Sequence, residues 1–423
     1  MPYQFMPVGI YDGQMDSAVT VPAAPPSVVD LEKQYLFQNY ARYPLVLARG
    51  KGCYVYDTSG KRYLDLIAGI GVNALGHAHP RLMKVIREQA ARMIPSSNLY
   101  YHEFQGPLAE RIANASGLDR VFFCNSGTEA IEGALKIIRA HGRKINPEKF
   151  ETIALVDSFH GRTFGALSIT GQENYRRDFE PMLPGAHFTP RNDIAALELA
   201  AGPRTAGIVL ELVQGEGGIH PLNPDFVRKA RELADRHNAL LVFDETQCGV
   251  GRTGTYFSYQ MGEPAVMPDV IVAAKPIGCG LPLGFVAATE RAAANIAPGM
   301  HGTTFGGGPL ACRVALEFFD ILDTLMASIT QTGSYFRMRL TELAKKHSFI
   351  KEVRGYGLMI GVELDFSGKQ IVLDAMAEGL LINCTHNLVL RALPPYTLTD
   401  QDVDRAIRVL DKVFKKAKPP AAA

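Results

Sequence analysis

Apolar residues in this chain recur in two rhythms that alternate from residue 121 onward. VFFC (121–124), TIALVDS (152–158), AGIVLELV (206–213), ALLVFDE (239–245), DVIVAAK (269–275) and LGFVAAT (283–289) are short apolar runs of strand length. Between several of them, apolar residues fall at helical spacing, as in EAIEGALKIIRAH from Glu129 and PDFVRKARELADRH (224–237). Runs that are apolar throughout belong in a sheet covered on both faces. The pattern therefore predicts an α/β fold with a mostly parallel sheet.

The rhythm changes at both ends. A helical stretch from about Pro309 to His347 leads into a smaller α+β unit. That unit holds FIKEVRGYGLMIGVEL, a helix near Ile371–Glu378, LLINC, LVLRALP and a last helix near Asp400–Lys416. Near the other end, YDTSGKRYLDL predicts a hairpin turning at Thr58–Gly60. The expected division is a tail (1–27), the N-terminal part of a small domain (28–75), a large domain (76–329) and the C-terminal part of the small domain (330–423).

Composition narrows the function classes. Lysine and arginine total 44 against 43 aspartate and glutamate, so no concentrated basic surface marks a nucleic-acid or membrane partner. The six cysteines form no CxxC pair, which gives neither a disulfide framework nor a zinc site and points to a reducing cytoplasm. The N-terminus lacks a basic region followed by an apolar stretch, and no run has the length of a membrane span.

Three positions carry candidate chemistry. Lys275 closes an apolar strand before PIGCGLPLG, the end of a parallel strand at which open α/β sheets hold ligands. Burial and nearby positive charge would lower its pKa and free the amine to form a Schiff base. Asp244 ends LLVFD on the expected neighbouring strand, where its carboxylate needs a positive partner such as a protonated pyridine nitrogen. Ser126-Gly127-Thr128 follows a strand and opens a helix, a setting that suits phosphate and equally suits ordinary capping. His77 and His79 in GHAHP have no neighbouring ligands in sequence, so a loop near a subunit interface is expected there, with no metal. GVGRTG lacks the lysine of a phosphate loop.

Seven blocks occur in one order: NSGTEA, SFHGRT, ELVQGEGG, DETQCGVGRTG, AAKPIGCGLPLG, HGTTFGGGPLA and VLRALPP. From about Leu31 to the last helix the chain resembles the class III (ω-type) aminotransferases of the fold-type-I pyridoxal-phosphate enzymes. The resemblance implies a large domain built on a mostly parallel seven-stranded sheet, a smaller α+β domain and pyridoxal 5′-phosphate as cofactor.

It also implies roles. Ser126, Gly127 and Thr128 would hold the cofactor phosphate, with Thr304 reaching it from the partner of a homodimer. Phe159 and Thr246 would lie against the two ring faces, Asp244 at the ring nitrogen, Gln247 at the phenolic oxygen, and Lys275 would carry the Schiff base. His160 would support the pocket rather than act as general base. Arg162 and Thr303 resemble substrate-contacting positions of the acetylornithine branch. Arg391 resembles an α-carboxylate-binding arginine, and Glu216 the glutamate that pairs with it and masks it. Substrates would be a small amine donor and 2-oxoglutarate, exchanged in a ping-pong cycle.

Two departures stand out: Thr246 replaces the usual Ile or Val, and Pro276 and Cys279 stand where Gly or Ala are common. N-succinylornithine, ornithine, N-succinyl-diaminopimelate and 4-aminobutyrate stay open as donors. A same-fold aminomutase and a non-catalytic binding protein are readings from other classes.

Overall fold

The computed structural model describes residues 27–417, which fall into two compact units, one ending at Val46 and one starting at Leu47. In the first, the helix Val28–Tyr35 starts at Ser27, whose hydroxyl accepts from Asp30 N while the Asp30 carboxylate accepts from Ser27 N. All further elements belong to the second unit.

Among the described residues, seven strands form its main sheet. In chain order they are β1 (Arg120–Cys124), β2 (Glu151–Leu155), β3 (Ala186–Thr189), β4 (Thr205–Leu210), β5 (Leu240–Asp244), β6 (Val270–Ala273) and β7 (Gly284–Ala288). Their spatial order is β1-β7-β6-β5-β4-β2-β3. β7 runs antiparallel to both neighbours, and the pairs from β6 across to β3 are parallel. Every residue of β4, β5, β6 and β7 is buried, as unbroken apolar runs require.

The expected strands all form, with two differences. β3 was not anticipated: AHFT is four residues long, sits at the sheet edge and buries one residue fully. DVIVAAK does not reach Lys275 as strand. β6 stops at Ala273, and Lys275 opens a short 3-10 turn with φ 43°. The lysine thus sits past the strand end in the left-handed region, which non-glycine residues rarely adopt.

Helices cover the sheet. α1 (Gly127–Ile145) buries Ala130, Ile131, Ala134, Ile137, Ile138 and His141, a stripe at three- and four-residue spacing. α2 (Pro224–Arg236) buries Phe226, Val227, Ala230, Leu233 and Ala234 in the same way, with proline in its first turn. α3 (Pro309–Ala344) runs 36 residues and packs against both the helix Pro80–Ala90 and the strand Ile350–Tyr356.

A second, antiparallel sheet contains Ile350–Tyr356, Met359–Leu364, Val389–Ala392 and Asn383–Thr385. The hairpin forms between Tyr54–Asp57 and Arg62–Asp65, and its second strand pairs in parallel with Leu380–Leu381. No described helix is long and apolar enough to cross a membrane.

Two buried cations lock the architecture through carbonyls. Arg252 of GVGRTG is wholly buried; its guanidinium bonds to the carbonyls of Leu358, Pro394 and Gly71 and lies 4.5 Å from the Tyr396 ring centroid. It fastens the glycine-rich stretch to the C-terminal segment. Lys149, buried just before β2, donates to the carbonyls of Pro203, Thr205 and His237, and burial holds its amine below the usual lysine range. Removing the amine would strand three carbonyls, at about 1–3 kcal/mol for a buried group left unsatisfied. Lys149→Met is therefore expected to lower the thermal midpoint with the site itself untouched; an unchanged midpoint by calorimetry would show those carbonyls find other partners.

Candidate active site

A cavity of about 460 Å³ opens where β5 and β6 end. The two strands are parallel neighbours with Asp244 opposite Val272, so Asp244 and Lys275 meet on one wall. Burial draws the Lys275 amine below the usual lysine range, with Glu216 and Asp244 opposing that shift and Arg391 adding to it. Lys275 is half-buried and lines the cavity.

Asp244 is held from two sides. His160 Nδ1 lies 2.8 Å from its Oδ2, and Thr246 N donates to its Oδ1 at 3.0 Å. Burial depresses the His160 pKa, but the hydrogen bond and charge of Asp244 outweigh it, so the imidazole is raised. Glu211 completes this cluster and was not anticipated from the sequence. Its carboxylate accepts from Phe159 N at 2.9 Å and Gly215 N at 3.2 Å, while burial pushes its pKa up to about 7.

The opposite end of the cavity is the start of α1. Ser126 Oγ accepts from Glu129 N and Ser126 O from Ala130 N, which satisfies the third and fourth helix amides. The amides of Gly127 and Thr128 remain for a ligand at the positive end of the helix. The Thr128 hydroxyl accepts from Arg162 N at 3.2 Å, tying SFHGRT to the helix start. Two glycines permit this packing. A Cβ on Gly161 (φ 139°) would come 2.2 Å from Thr128 Oγ1, and one on Gly127 would come 2.6 Å from Thr246 Cγ2. Thr246 Oγ1 is itself buried with no hydrogen-bond partner among the described residues.

Arg162 lines the cavity and stacks on Tyr175, with its guanidinium carbon 3.8 Å from the ring centroid. Tyr175 in turn meets the Phe159 ring edge-on at 6.0 Å. Thr303 lies outside the lining but accepts from Asn125 Nδ2 at 3.0 Å, and Asn125 does line the cavity. Thr304 is exposed and does not line its own chain's cavity.

Arg391 is brought to the back of the site and wholly buried. Its Nη1 donates to Glu216 Oε1 at 2.6 Å and to Gln247 Oε1 at 3.0 Å. The Asn383 amide, turned with its oxygen toward the guanidinium, accepts from Nη2 at 2.8 Å. Burial would raise the Glu216 pKa, but the Arg391 charge prevails and holds it below the usual carboxylate range. Gln247 lines the cavity with its amide already engaged by this pair.

The histidines of GHAHP lie elsewhere. His77 Nε2 is 3.0 Å from Asp65 Oδ2, a partner that sequence separation concealed. Among the described residues, no three His, Cys, Asp or Glu side chains converge to hold a metal ion.

Glu245, next to Asp244, points away into the core, accepting from Ser258 N, Ser258 Oγ and Tyr259 N; burial pushes its pKa up to about 7 from 4.5. A carboxyl with a raised folded pKa binds its proton more tightly folded than unfolded. Its contribution to stability is complete below pH 4.5 and is lost as pH rises through about 7. Urea midpoints of the wild type and Glu245→Gln across this range should diverge in slope, the variant being flatter. Identical slopes would show that Glu245 ionises normally in the folded chain.

Residues 35–414 match the family model for class-III aminotransferases. The acetylornithine aminotransferase of Methanocaldococcus jannaschii is 47% identical over 393 residues, covering 92% of this chain and 98% of that protein. Among solved structures, the ornithine aminotransferase of Toxoplasma gondii ME49 superposes with a TM-score of 0.87 at 34% identity, covering 91% of this chain and 94% of that one. The N-acetylornithine aminotransferase of Stenotrophomonas maltophilia K279a gives 0.80 at 33% identity, covering 92% and 99%.

Proposed function

The chain belongs to the class-III aminotransferases, enzymes dependent on pyridoxal 5′-phosphate, and we propose that it moves the terminal amine of N-acetylornithine to 2-oxoglutarate. The residues present fit the cofactor. The Gly127 and Thr128 amides suit its phosphate, Phe159 and Thr246, which both line the cavity, suit the faces of a flat ring, and the Asp244 carboxylate suits a protonated ring nitrogen. When bound, pyridoxal phosphate supplies an electron sink for the pair released at the carbon bearing the amine.

In this reading the protein's own groups do the rest. Asp244, fixed by His160 and Thr246 N, keeps a negative charge at the ring-nitrogen position. Lys275 would hold the cofactor through its amine. Its Nζ, with a lowered pKa, would serve as the general base for the proton on the amine-bearing carbon. Arg162 anchors the donor's carboxylate, and Thr303 reaches the cavity lining through Asn125.

The observation that carries the two-substrate reading is the Glu216–Arg391 pair. A donor presenting a distal amine needs Arg391 neutralised, whereas glutamate presents an α-carboxylate beside its amine and needs the guanidinium free. Thr304, exposed outside its own chain's cavity, suits a phosphate contact across a homodimer interface. The enzyme is cytoplasmic and serves arginine biosynthesis in this reading.

The test is the visible spectrum of the cofactor-loaded protein as one amine at a time is added without 2-oxoglutarate. N-acetylornithine should bleach the band fastest and at lowest concentration among N-succinylornithine, ornithine and 4-aminobutyrate, and Lys275→Ala should lose multiple turnover. A clear win for another amine would move the substrate assignment, and sustained turnover by Lys275→Ala would sink the mechanism. A second variant addresses the pair. Glu216→Ala unmasks Arg391, so the KM for 2-oxoglutarate should fall while kcat/KM for N-acetylornithine drops about tenfold, as expected for an uncompensated charge facing the wrong ligand. Equal effects on both half-reactions would mean that Glu216 only supports the fold.

A further inference from the structure

A second cavity, of about 680 Å³, adjoins the first at Glu216, which lines both. The two also adjoin through the Arg162–Tyr175 stack, since Arg162 lines the first and Tyr175 the second. The second chamber is walled by the segment 171–175 and by the turn carrying Thr385, His386 and Asn387. Thr385 Oγ1 donates to the carbonyl of Glu216 and so fastens that turn to the shared wall.

The lining itself is acidic, with two of its three carboxylates paired to arginines outside it. Asp157, Glu173 and Glu216 line it, and among its described lining residues there is no lysine or arginine. Glu216 is paired with Arg391, and Asp157 with Arg191 at 3.2 Å and His386 at 3.4 Å. Glu173 is exposed and has no ion-pair partner among the described residues. The chamber's single ionisable nitrogen is therefore already engaged, and a carboxylate is left over. Asn174 and Asn387 supply neutral amide donors and acceptors.

With a donor's carboxylate on Arg162 and its terminal amine at Lys275, the substituent on its α-nitrogen sits beside the Arg162–Tyr175 stack. We propose that this chamber receives that substituent and selects it by charge, accepting a neutral acyl group and rejecting one that ends in a carboxylate. The inference rests on the acylornithine reading above and extends it to the acyl group. An acetyl group places an amide and a methyl there at no electrostatic cost, whereas a succinyl group brings a carboxylate toward the unpaired Glu173. A free α-ammonium is not repelled.

The test compares kcat/KM of the holoenzyme for N-acetylornithine, N-succinylornithine and ornithine in the wild type, Glu173→Gln and Glu173→Lys. The wild type should prefer the acetyl over the succinyl substrate. In Glu173→Lys the succinyl-to-acetyl ratio should rise about tenfold and the ornithine-to-acetyl ratio should fall, with Glu173→Gln between; these are shifts typical of one charge reversed near a ligand. Added salt should shrink both shifts. A wild type that prefers the succinyl substrate, ratios unmoved by Glu173→Lys, or succinyl and ornithine shifting in the same direction would each overturn the charge-selecting chamber while leaving the aminotransferase reading standing. Failure of both acylornithines as substrates, with turnover of another amine, would overturn that reading and the chamber with it.

Discussion

The parallel pairing of β5 and β6, with Asp244 opposite Val272, sets a carboxylate and an amine at adjacent strand ends where bulk water solvates neither fully. Isolated charge in such a place is costly, and the surroundings answer that cost group by group. Asp244 receives the His160 ring and the Thr246 amide. Burial instead moves Lys275 toward its neutral form, which is the form a nucleophilic amine requires. The left-handed turn at Lys275 has the same origin. A lysine continuing β6 in regular pleat would belong to the sheet, and leaving the strand two residues early turns it into the cavity lining instead.

The sheet was legible because its inner strands are uniformly apolar, and β4 to β7 could be read directly from composition. β3 was not, because an edge strand is covered on fewer sides and AHFT mixes a histidine and a threonine into four residues. The strand-end position of Lys275 was overestimated by two residues for a related reason: AAK is as apolar as the strand before it, and no propensity marks where the backbone turns left-handed. Lys275, Asp244, Thr246, Gln247, Phe159 and the start of α1, drawn from separate sequence blocks, all line one cavity.

What stayed hidden was pairing across long separations. Glu211 lies in a strand-like run, and nothing local tells that its carboxyl meets the amides of Phe159 and Gly215 beside Asp244. Arg252 sits in a glycine-rich motif that invites comparison with phosphate loops, yet its partners are carbonyls at Gly71, Leu358 and Pro394. Burial lowers its pKa accordingly, with the Tyr396 phenol opposing the shift. Asp65, which receives the His77 ring, was read only as part of the hairpin.

Glu216 links these levels. It stands in the QGEGG loop after β4, and its carboxylate faces Arg391 of the antiparallel sheet, so one ion pair ties that loop to that sheet. Its backbone carbonyl is held by Thr385, leaving the side chain as the part free to change partner. Because Arg391 also keeps Gln247 and Asn383, loss of the glutamate would leave the guanidinium hydrogen-bonded but uncompensated in charge. That difference matters: hydrogen bonds from neutral amides preserve the arginine's orientation, while only a carboxylate can neutralise it. A site that must present one arginine both screened and bare needs these two functions on different residues, and here they are.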